Sequence, residues 1–264
     1  MTTLKVTVDN TVYVTNEADL MEAFKADKEV IDIVLLNSID CYLNCGIGTE
    51  NTKEVNISAV NKNTVLNITC ASASYMGSYV TFRTVNPEAV MNFSNITLEK
   101  SNWTATTWNT YNIEFYTDVN IDNCIINHPV TFCTKAVVSN TNIMGYRDNA
   151  SHYAVWVCEG ADVTFNGGAI IGTRNIKVDD EYSNSGELTK LTVNNTAFVS
   201  TDTKPAILVK VPNAEITVNN ASIAGVLADN VDPVWIDEDA TIVNVVVTVN
   251  GSVLDNAVIN EANQ

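Results

Sequence analysis

The densest group of acidic side chains in the sequence lies at residues 229–240, in the stretch DNVDPVWIDEDA. Carboxylate oxygens are the ligands that Ca²⁺ prefers in proteins, so Asp229, Asp232, Asp237 and Asp239 are the candidate calcium ligands. The chain has 31 acidic residues, and some of them must cluster by chance. A solvated loop is therefore the alternative explanation of this stretch, and no other cofactor is predicted.

Aromatic side chains concentrate at residues 101–116, in the stretch SNWTATTWNTYNIEFY. Trp103, Trp108 and Tyr111 lie among threonine and asparagine residues, in a composition that is typical of a loop. Exposed aromatic rings offer a flat apolar surface to a sugar or to a partner protein. These three residues form the candidate site for a glycan or protein partner. The alternative is that they fold back and cover the body of the protein.

One pattern occurs six times between residues 91 and 225: apolar, any, apolar, then Asn, Asp or Ser, then Asn or Gly, and an apolar residue three positions later. The fifth residues of the copies are Asn95, Asn123, Asn140, Gly167, Asn195 and Asn220. Successive copies are separated by 28, 17, 27, 28 and 25 residues. Self-similarity at this period indicates an architecture of stacked repeats.

In five of the six copies the residue between the first two apolar positions is polar or small, and this alternation predicts a strand that is buried on one side. A repeat of about 25 residues accommodates about three short strands and their corners, and stacked repeats pair each strand with its counterparts at a spacing of about 4.8 Å. Asparagine and glycine tolerate the positive φ that a tight corner requires. Stacked asparagine side chains can also bond to one another and to neighbouring backbone. We therefore expect a structural ladder formed by Asn95, Asn123, Asn140, Asn195 and Asn220.

The 17-residue step between Asn123 and Asn140 is short for a complete repeat. Two explanations remain open at the level of sequence. Either this repeat is a minimal one, or the copies on its two sides are not equivalent.

The N-terminal part of the sequence predicts a strand, a helix and a second strand. Residues 2–15 alternate with strand period, whereas residues 15–27, TNEADLMEAFKAD, change to helical period. Asn16 is the expected N-cap of the helix, whose apolar face contains Leu20, Met21, Phe24 and Ala23. The segment VIDIVLLNSI at 30–39 then predicts a buried strand.

The C-terminal segment 241–254, TIVNVVVTVNGSVL, is strongly β-forming and almost uncharged. An open stack of repeats exposes unpaired strand edges at its ends, and such edges invite association. We expect this segment to be either the last repeat under a short cap or an assembly surface.

The chain resembles the right-handed parallel β-helix proteins of the pectate-lyase-like superfamily over residues 13–250. The resemblance rests on the NEADLMEAF helix followed by VIDIVLL and on the recurrent asparagine corners. It implies an all-β fold: a single-stranded right-handed parallel β-helix, or solenoid, with coils of about 25 residues and an N-terminal amphipathic capping helix. We expect a single domain over 1–264, with an N-terminal strand and capping helix at 1–40, stacked coils at 41–250 and a polar C-terminal tail at 251–264.

The catalytic sets that the resemblance implies are not found. Hydrolases of this superfamily carry spaced acids, a Gly-His-Gly and an Arg-x-Lys, but neither His128 nor His152 has glycine neighbours, and RNIK at 174–177 is one residue too long. The lyases combine Ca²⁺-binding carboxylates with a basic residue, and the chain has only 14 Lys and Arg residues with which to bind an acidic sugar. These differences favour a protein that is not an enzyme.

Composition limits the partners further. The net charge is −17 with no basic cluster, so a nucleic-acid partner is not expected. Neither is a membrane partner, because no apolar run of 18 residues is present. Residues 1–16 lack the charged start and apolar core of a signal peptide. We expect either that the protein stays where it is made or that a signal has been removed.

Six cysteines lie at positions 41, 45, 70, 124, 133 and 158, without the spacing of a zinc knuckle. Free buried thiols that pack as small apolar residues are the simplest interpretation. Disulfides are the alternative, and they would require an oxidising compartment.

The fold is shared by lyases, hydrolases, adhesins and viral spikes, so function has to be inferred from other features. We expect a non-enzymatic structural or adhesive protein, on a virion or an extracellular cell surface, that contacts other protein subunits, glycans or further copies of itself. A β-helix without a signal points to release by lysis and thus to a bacteriophage component: a capsid decoration, head fibre or tail-associated protein. The alternative is a carbohydrate-active enzyme, lyase or hydrolase, or a carbohydrate-binding adhesin.

Overall fold

The computed structural model describes residues 11–43, 46–69, 80–100, 112–145, 153–179, 186–200, 206–225, 234–236 and 244–253. Over this part of the chain the protein consists of strands and one helix. The strands form three sheets, and every pairing described between them is parallel except the last one of the first sheet. The prediction of an all-β protein with parallel sheets is thus confirmed.

The largest sheet, sheet A, has eleven strands and contains the first half of every repeated pattern. Its strands, in spatial order, are β1 (Val12–Val14), β2 (Val30–Leu35), β4 (Glu54–Ala59), β7 (Val90–Ser94), β10 (Asp118–Asp122), β13 (Lys135–Ser139), β16 (Asp162–Asn166), β19 (Thr189–Asn194), β22 (Asn213–Asn219), β25 (Asn244–Val249) and β26 (Ser252–Val253).

Sheet B has eight strands, each of which follows a strand of sheet A along the chain. They are β3 (Ile39–Tyr42), β5 (Val65–Thr69), β8 (Thr97–Lys100), β11 (Ile125–Ile126), β14 (Asn142–Met144), β17 (Ala169–Gly172), β20 (Ala197–Ser200) and β23 (Ser222–Gly225). Sheet C has seven: β6 (Val80–Phe82), β9 (Ile113–Phe115), β12 (Val130–Phe132), β15 (Tyr153–Cys158), β18 (Arg174–Asp179), β21 (Ile207–Val209) and β24 (Val234–Ile236).

From β4 onward the chain visits sheets A, B and C in turn before it returns to sheet A beside the strand it left. We call one such circuit a passage. The shortest passage runs from Asp118 to Lys135, 17 residues later, and it still contributes a strand to each sheet, although β11 has only two residues. The short step in the sequence is therefore a minimal repeat. A longer passage separates Asn56 from its neighbour Asn92 by 36 residues.

Alternation along the strands places one set of side chains in a common core. The strands of sheet A bury every second residue, as Val119 and Ile121 show in β10. On sheet C, Phe115 stacks between Phe82 and Phe132, with ring centroids 5.2 and 5.5 Å apart. The Phe93 ring of sheet A packs edge-to-face with the Phe115 ring, with their centroids 5.8 Å apart, so aromatic packing joins the two sheets.

The predicted helix is present as α1, Glu17–Phe24. Asn16 caps it: its side-chain oxygen accepts a hydrogen bond from the Asp19 N–H at 3.1 Å. Leu20, Ala23 and Phe24 are buried against the core, and α1 contacts β1, β2 and β3.

The C-terminal segment contributes the last parallel strand of sheet A, β25, which pairs with β22. Asn250 and Gly251 have φ angles of 48° and 79°, and β26 folds back antiparallel to β25. Positive φ at both central residues of a two-residue turn is the type I′ geometry, for which Asn-Gly is favoured. The short strand β26 covers the outer edge of β25 at Thr248 and Val249.

Candidate functional site

The repeated asparagines share one backbone conformation at the corner between sheets A and B. The φ angles of Asn95, Asn123, Asn140, Asn195 and Asn220 lie between 50° and 54°, in the left-handed region that asparagine tolerates better than most residues. Gly167, at the same place in its passage, has a φ of 77°. The positive φ turns the chain from one sheet to the next within a single residue.

The corner residues also continue the backbone ladder from one passage to the next. The N–H of Asn123 donates to the Ser139 carbonyl at 3.0 Å, and the N–H of Asn195 donates to the Asn219 carbonyl at 2.9 Å. For Asn220 the acceptor is instead the side-chain oxygen of Asn250, at 2.8 Å. At the last corner a side chain thus occupies the place that a backbone carbonyl occupies at the earlier ones.

Side-chain bonds between the corner asparagines themselves are limited in the described residues to one long contact, from Asn123 to Asn95 at 3.4 Å. Asn95 otherwise donates to the Ala59 carbonyl at 2.9 Å, and Asn140 donates to Asp122 at 3.0 Å. The corner asparagines therefore act mainly through their backbone.

Stronger side-chain ladders lie on the outward face of sheet A, one to three residues before the corner. Asn56 donates to Asp32, Asn92 to Asn56 and Asn120 to Asn92, with distances of 2.7, 2.7 and 2.8 Å. A second ladder runs from Asn219 to Asn194 to Asn166, with both distances 2.9 Å. Sequence reasoning placed the ladder at the corner, whereas polar residues at outward strand positions were the signal for these two series.

The aromatic and acidic candidates fall outside the described residues. Trp103, Trp108 and Tyr111 precede the described segment that begins at Asn112, and Asp229, Asp232, Asp237 and Asp239 flank β24. The predicted glycan or partner site and the predicted calcium site therefore stay predictions. Within the described ranges, no group of three or more His, Cys, Asp and Glu side chains is placed to hold a metal ion.

The outward side of sheet C carries two carboxylate side chains that are almost completely buried. Glu114 is 1% exposed and Asp179 is 6% exposed, although both lie at outward positions of β9 and β18. Tyr116 follows β9, and Trp156 and Lys177 occupy neighbouring strands in register. We call Glu114, Tyr116, Trp156, Lys177 and Asp179 the sheet C strip.

Electrostatic contacts hold the charged members of the sheet C strip. The Lys177 ammonium forms an ion pair with the Asp179 carboxylate, and its Nζ lies 4.3 Å from the ring centroid of Trp156. The pKa of Tyr116 is raised, first because burial disfavours the phenolate and second because Glu114 is negatively charged. The strip thus combines aromatic rings, the Lys177 ammonium group fixed by its ion pair, and buried carboxylates.

Residue patterns predict the sheet C strip only in part. Lys177 belongs to the RNIK stretch, which lacks the Arg-x-Lys spacing, and Asp179 is followed directly by a second aspartate, Asp180. Glu114 was not singled out, although a lone acid between Ile113 and Phe115 at an outward strand position is unusual. Its burial depends on side chains outside its own strand, whose neighbours across the sheet include Thr131 of β12, and the residue pattern of β9 does not contain that information.

Of the two histidines, only His128 is among the described residues, and it lies outside the strip. His152 lies outside the described residues. His128 lies between β11 and β12, is 3% exposed, and its Nδ1 is 3.2 Å from the Pro129 carbonyl. Burial and the positive charge of Lys100 lower the pKa of His128 to about 3, so the ring is neutral at physiological pH.

A group of apolar side chains is exposed on the outward face of sheet A near its N-terminal end. Tyr13 is 57% exposed and lies opposite Val34, which is half-buried, in the pairing of β1 with β2. Leu36 and Val60 follow β2 and β4 directly, and they are 40% and 54% exposed. The Val60 N–H donates to the Leu35 carbonyl, which makes these two ends neighbours. We call Tyr13, Val34, Leu36 and Val60 the N-terminal apolar patch.

Comparison with known proteins identified no relative. No family model matches the chain, and neither the curated proteins nor the solved structures contain a significant match. In the part of the chain that the structure describes, no helix has the length and apolar character needed to cross a membrane.

Proposed function

We propose that sheets A, B and C are the three faces of one single-stranded right-handed parallel β-helix. Support comes from the order of the strands, which belong to A, B and C in turn, and from parallel registers that link each strand to its counterpart in the next passage. Parallel strands of one sheet that are joined by a crossover are right-handed in nearly all proteins. The likeness to the pectate-lyase-like superfamily is an architectural one.

Helix α1 caps the N-terminal end of this stack. It buries Leu20 and Phe24 against the first strands, and the Phe24 carbonyl accepts a bond from the Gly48 N–H at 2.7 Å. The Glu17 carboxylate accepts a bond from the Tyr42 N–H at 2.7 Å, which ties the helix to the end of β3. Covering an open end in this way protects unpaired strand edges from other chains.

The function that these features favour is structural or adhesive: the protein is a non-enzymatic component of a larger assembly, and a bacteriophage virion is the assembly we propose. It serves there as a capsid decoration, head fibre or tail-associated protein. The observation that carries the proposal is the N-terminal apolar patch, because apolar side chains that are exposed side by side mark a surface that contacts another protein.

The face around the patch supports the same function. The ladder from Asp32 through Asn56 and Asn92 to Asn120 begins on β2, the strand that also bears Val34. Side chains bonded in series lose little further freedom when a partner binds, so the surface is already ordered for contact. A stiff face beside an apolar patch suits permanent assembly.

The sheet C strip favours a second function, that of a carbohydrate-binding adhesin or a carbohydrate-active enzyme. Trp156 and Tyr116 could pack on sugar rings, and Glu114 and Asp179 are carboxylates of the type that glycosidases use. Because Asp179 is already paired with Lys177 and lies three strands away from Glu114, we rank this function second.

Assembly is tested by sedimentation of the protein with and without the double substitution Tyr13→Asp and Val60→Asp. We expect the wild type to self-associate or to co-sediment with virus particles from a lysed culture, and the double variant to lose that association. Leu188→Asp is the matched control, because Leu188 is exposed to a similar degree outside the patch. Equal association of all three proteins would contradict the proposal.

The second function is tested on a glycan array and in a reducing-end assay with a panel of polysaccharides. Glycan binding that Trp156→Ala abolishes would support an adhesin. Cleavage that Glu114→Gln abolishes would identify an enzyme and overturn the structural proposal.

A further inference from the structure

Two cysteines face each other across neighbouring strands of sheet C. Cys133 directly follows β12, and Cys158 is the last residue of β15. In the pairing of these strands Phe132 lies opposite Val157, so the two cysteines are in register, and their Sγ atoms are 2.8 Å apart. Both are free thiols in the structure.

The backbone at this position already meets the requirement for a covalent bond. Neighbouring strands are about 4.8 Å apart, and disulfides join Cα atoms that are about 4.4–6.8 Å apart. Both side chains lie on the outward side, because Phe132 and Val157 next to them are fully buried in the core. The two sulfurs can therefore approach bonding distance without a change in strand register.

The two sulfurs differ in accessibility. Cys133 is partly exposed, whereas Cys158 is 2% exposed. The other described cysteines have different partners: Cys124 donates to the Asp122 carbonyl at 3.2 Å, and Cys41 contacts the Met21 sulfur at 3.8 Å. Cys133 and Cys158 are therefore the only adjacent pair of thiols among the described residues.

We propose that Cys133 and Cys158 form a disulfide site that links consecutive passages of sheet C, closed by exchange with a small disulfide such as oxidised glutathione. This inference does not depend on the proposed function. The accessible Cys133 thiolate attacks one sulfur of the small disulfide and releases one small thiol. Cys158, after losing its proton, attacks the Cys133 sulfur of the mixed disulfide and releases the second. Two protein thiols are oxidised, and one small disulfide is reduced to two thiols.

The surroundings make this exchange slow at neutral pH. The hydrogen bond with Cys133, burial, and the negative charges of Glu114 and Asp179 raise the pKa of Cys158. Tyr116 on the Glu114 side, Lys177 on the Asp179 side and Glu159, which follows Cys158, are further titratable groups near the site. Since thiolate is the reactive form, disulfide formation accelerates as the pH rises.

The test begins with the purified full chain, reduced and then incubated with oxidised glutathione. We expect a product two hydrogens lighter than the reduced protein, and a non-reducing digest in which the peptides of Cys133 and Cys158 are linked. The bond closes a loop of 25 residues. A loop of that length should raise Tm by about 5–10 °C relative to the reduced protein.

Two variants make the measurement specific. In Cys133→Ser/Cys158→Ser, the Tm should be the same before and after oxidation. In Cys124→Ser, which alters a cysteine outside the pair, the increase should remain. Because the linked peptide is measured on the wild type, the test does not depend on folding of either variant. Failure to recover the linked peptide, or linkage of Cys133 or Cys158 to a different cysteine, would overturn the proposal.

Discussion

At the scale of the residue, asparagine is used at the A-to-B corner for its backbone. Asn195 is exposed, has a φ of 51°, and joins the next passage through its N–H. Alanine in the left-handed region costs about 1–2 kcal/mol, whereas glycine adopts it freely.

We predict that Asn195→Ala lowers the free energy of unfolding by about 1 kcal/mol, and that Asn195→Gly changes it by only a few tenths. Urea denaturation of the two variants beside the wild type measures the difference. If alanine and glycine were equally destabilising, the stability of the corner would depend on the asparagine side chain and not on its backbone conformation.

His128 gives the protein an acid-sensitive group. Its pKa is lowered to about 3 by burial and by Lys100, whereas an unfolded histidine titrates near 6.5. Below pH 6.5 the unfolded state binds a proton that the folded state does not. The contribution of the neutral, buried His128 to stability is therefore complete above pH 6.5 and is lost as the pH falls towards 3.

We expect the free energy of unfolding to fall by up to about 1.4 kcal/mol per pH unit in this range on account of His128. Carboxylates titrate in the same range, so the measurement is the difference between wild type and His128→Gln, followed by denaturation from pH 7 to pH 4. Parallel pH profiles for the two proteins would show that His128 can take up its proton in the folded state.

At the scale of the element, the polar ladders of sheet A join strands that are far apart in sequence. Asn92 donates to Asn56 and Glu54 and accepts from Asn120.

We predict that Asn92→Val lowers the free energy of unfolding by about 1–2 kcal/mol, because it removes these bonds from three strands while it keeps a good β-former. Thr192→Val, at the equivalent outward position of β19, is the control and should be close to neutral. Thermal denaturation compares the two variants. Equal effects would show that the ladder contributes no measurable stability.

The corner at Gly167 and Gly168 contains two neighbouring glycines with φ angles of 77° and 78°. A Cβ at Gly167 would meet only the Asn140 side chain, at 3.5 Å, whereas a Cβ at Gly168 would lie 2.1 Å from the Thr141 carbonyl oxygen. We predict that Gly167→Asn leaves stability within about 0.5 kcal/mol of the wild type, since asparagine occupies the other corners. Gly168→Ala should cost well over 2 kcal/mol, because the backbone must move. Chemical denaturation distinguishes them, and a tolerated Gly168→Ala would contradict the geometry.

The sequence predicted these elements to different degrees. The alternation of residues such as Val119 and Ile121 identified the strands, and the asparagine pattern located the corners, because both depend on local conformation. The strip at Glu114 and Lys177 was not predicted, since their neighbours come from other passages and burial there depends on long-range contacts. The ladder of Asn56 and Asn92 also needed the register between strands, which a single sequence does not contain.

At the scale of the whole molecule, the edge of sheet A is protected by its last strands. Deletion of residues 241–264 would remove β25 and β26 and leave β22 as the edge strand of sheet A. We predict that this variant aggregates, measured as increased light scattering, because β22 would present unpaired backbone groups. Deletion of 254–264 alone retains both strands and should remain monodisperse to the same extent as the full chain. A soluble and well-folded particle after the larger deletion would show that β22 needs no cover.

Passages that contain different numbers of residues add the same length to sheet A. Each passage adds one strand to sheet A, and therefore advances the sheet by about 4.8 Å, whether it contains 17 or 36 residues. The number of residues in the connections therefore does not change the spacing of the strands of sheet A. Insertions or deletions in those connections would leave the span between the two ends of sheet A unaltered. In the β-helix that we propose, the length of the stack is therefore set by the number of passages and not by the number of residues.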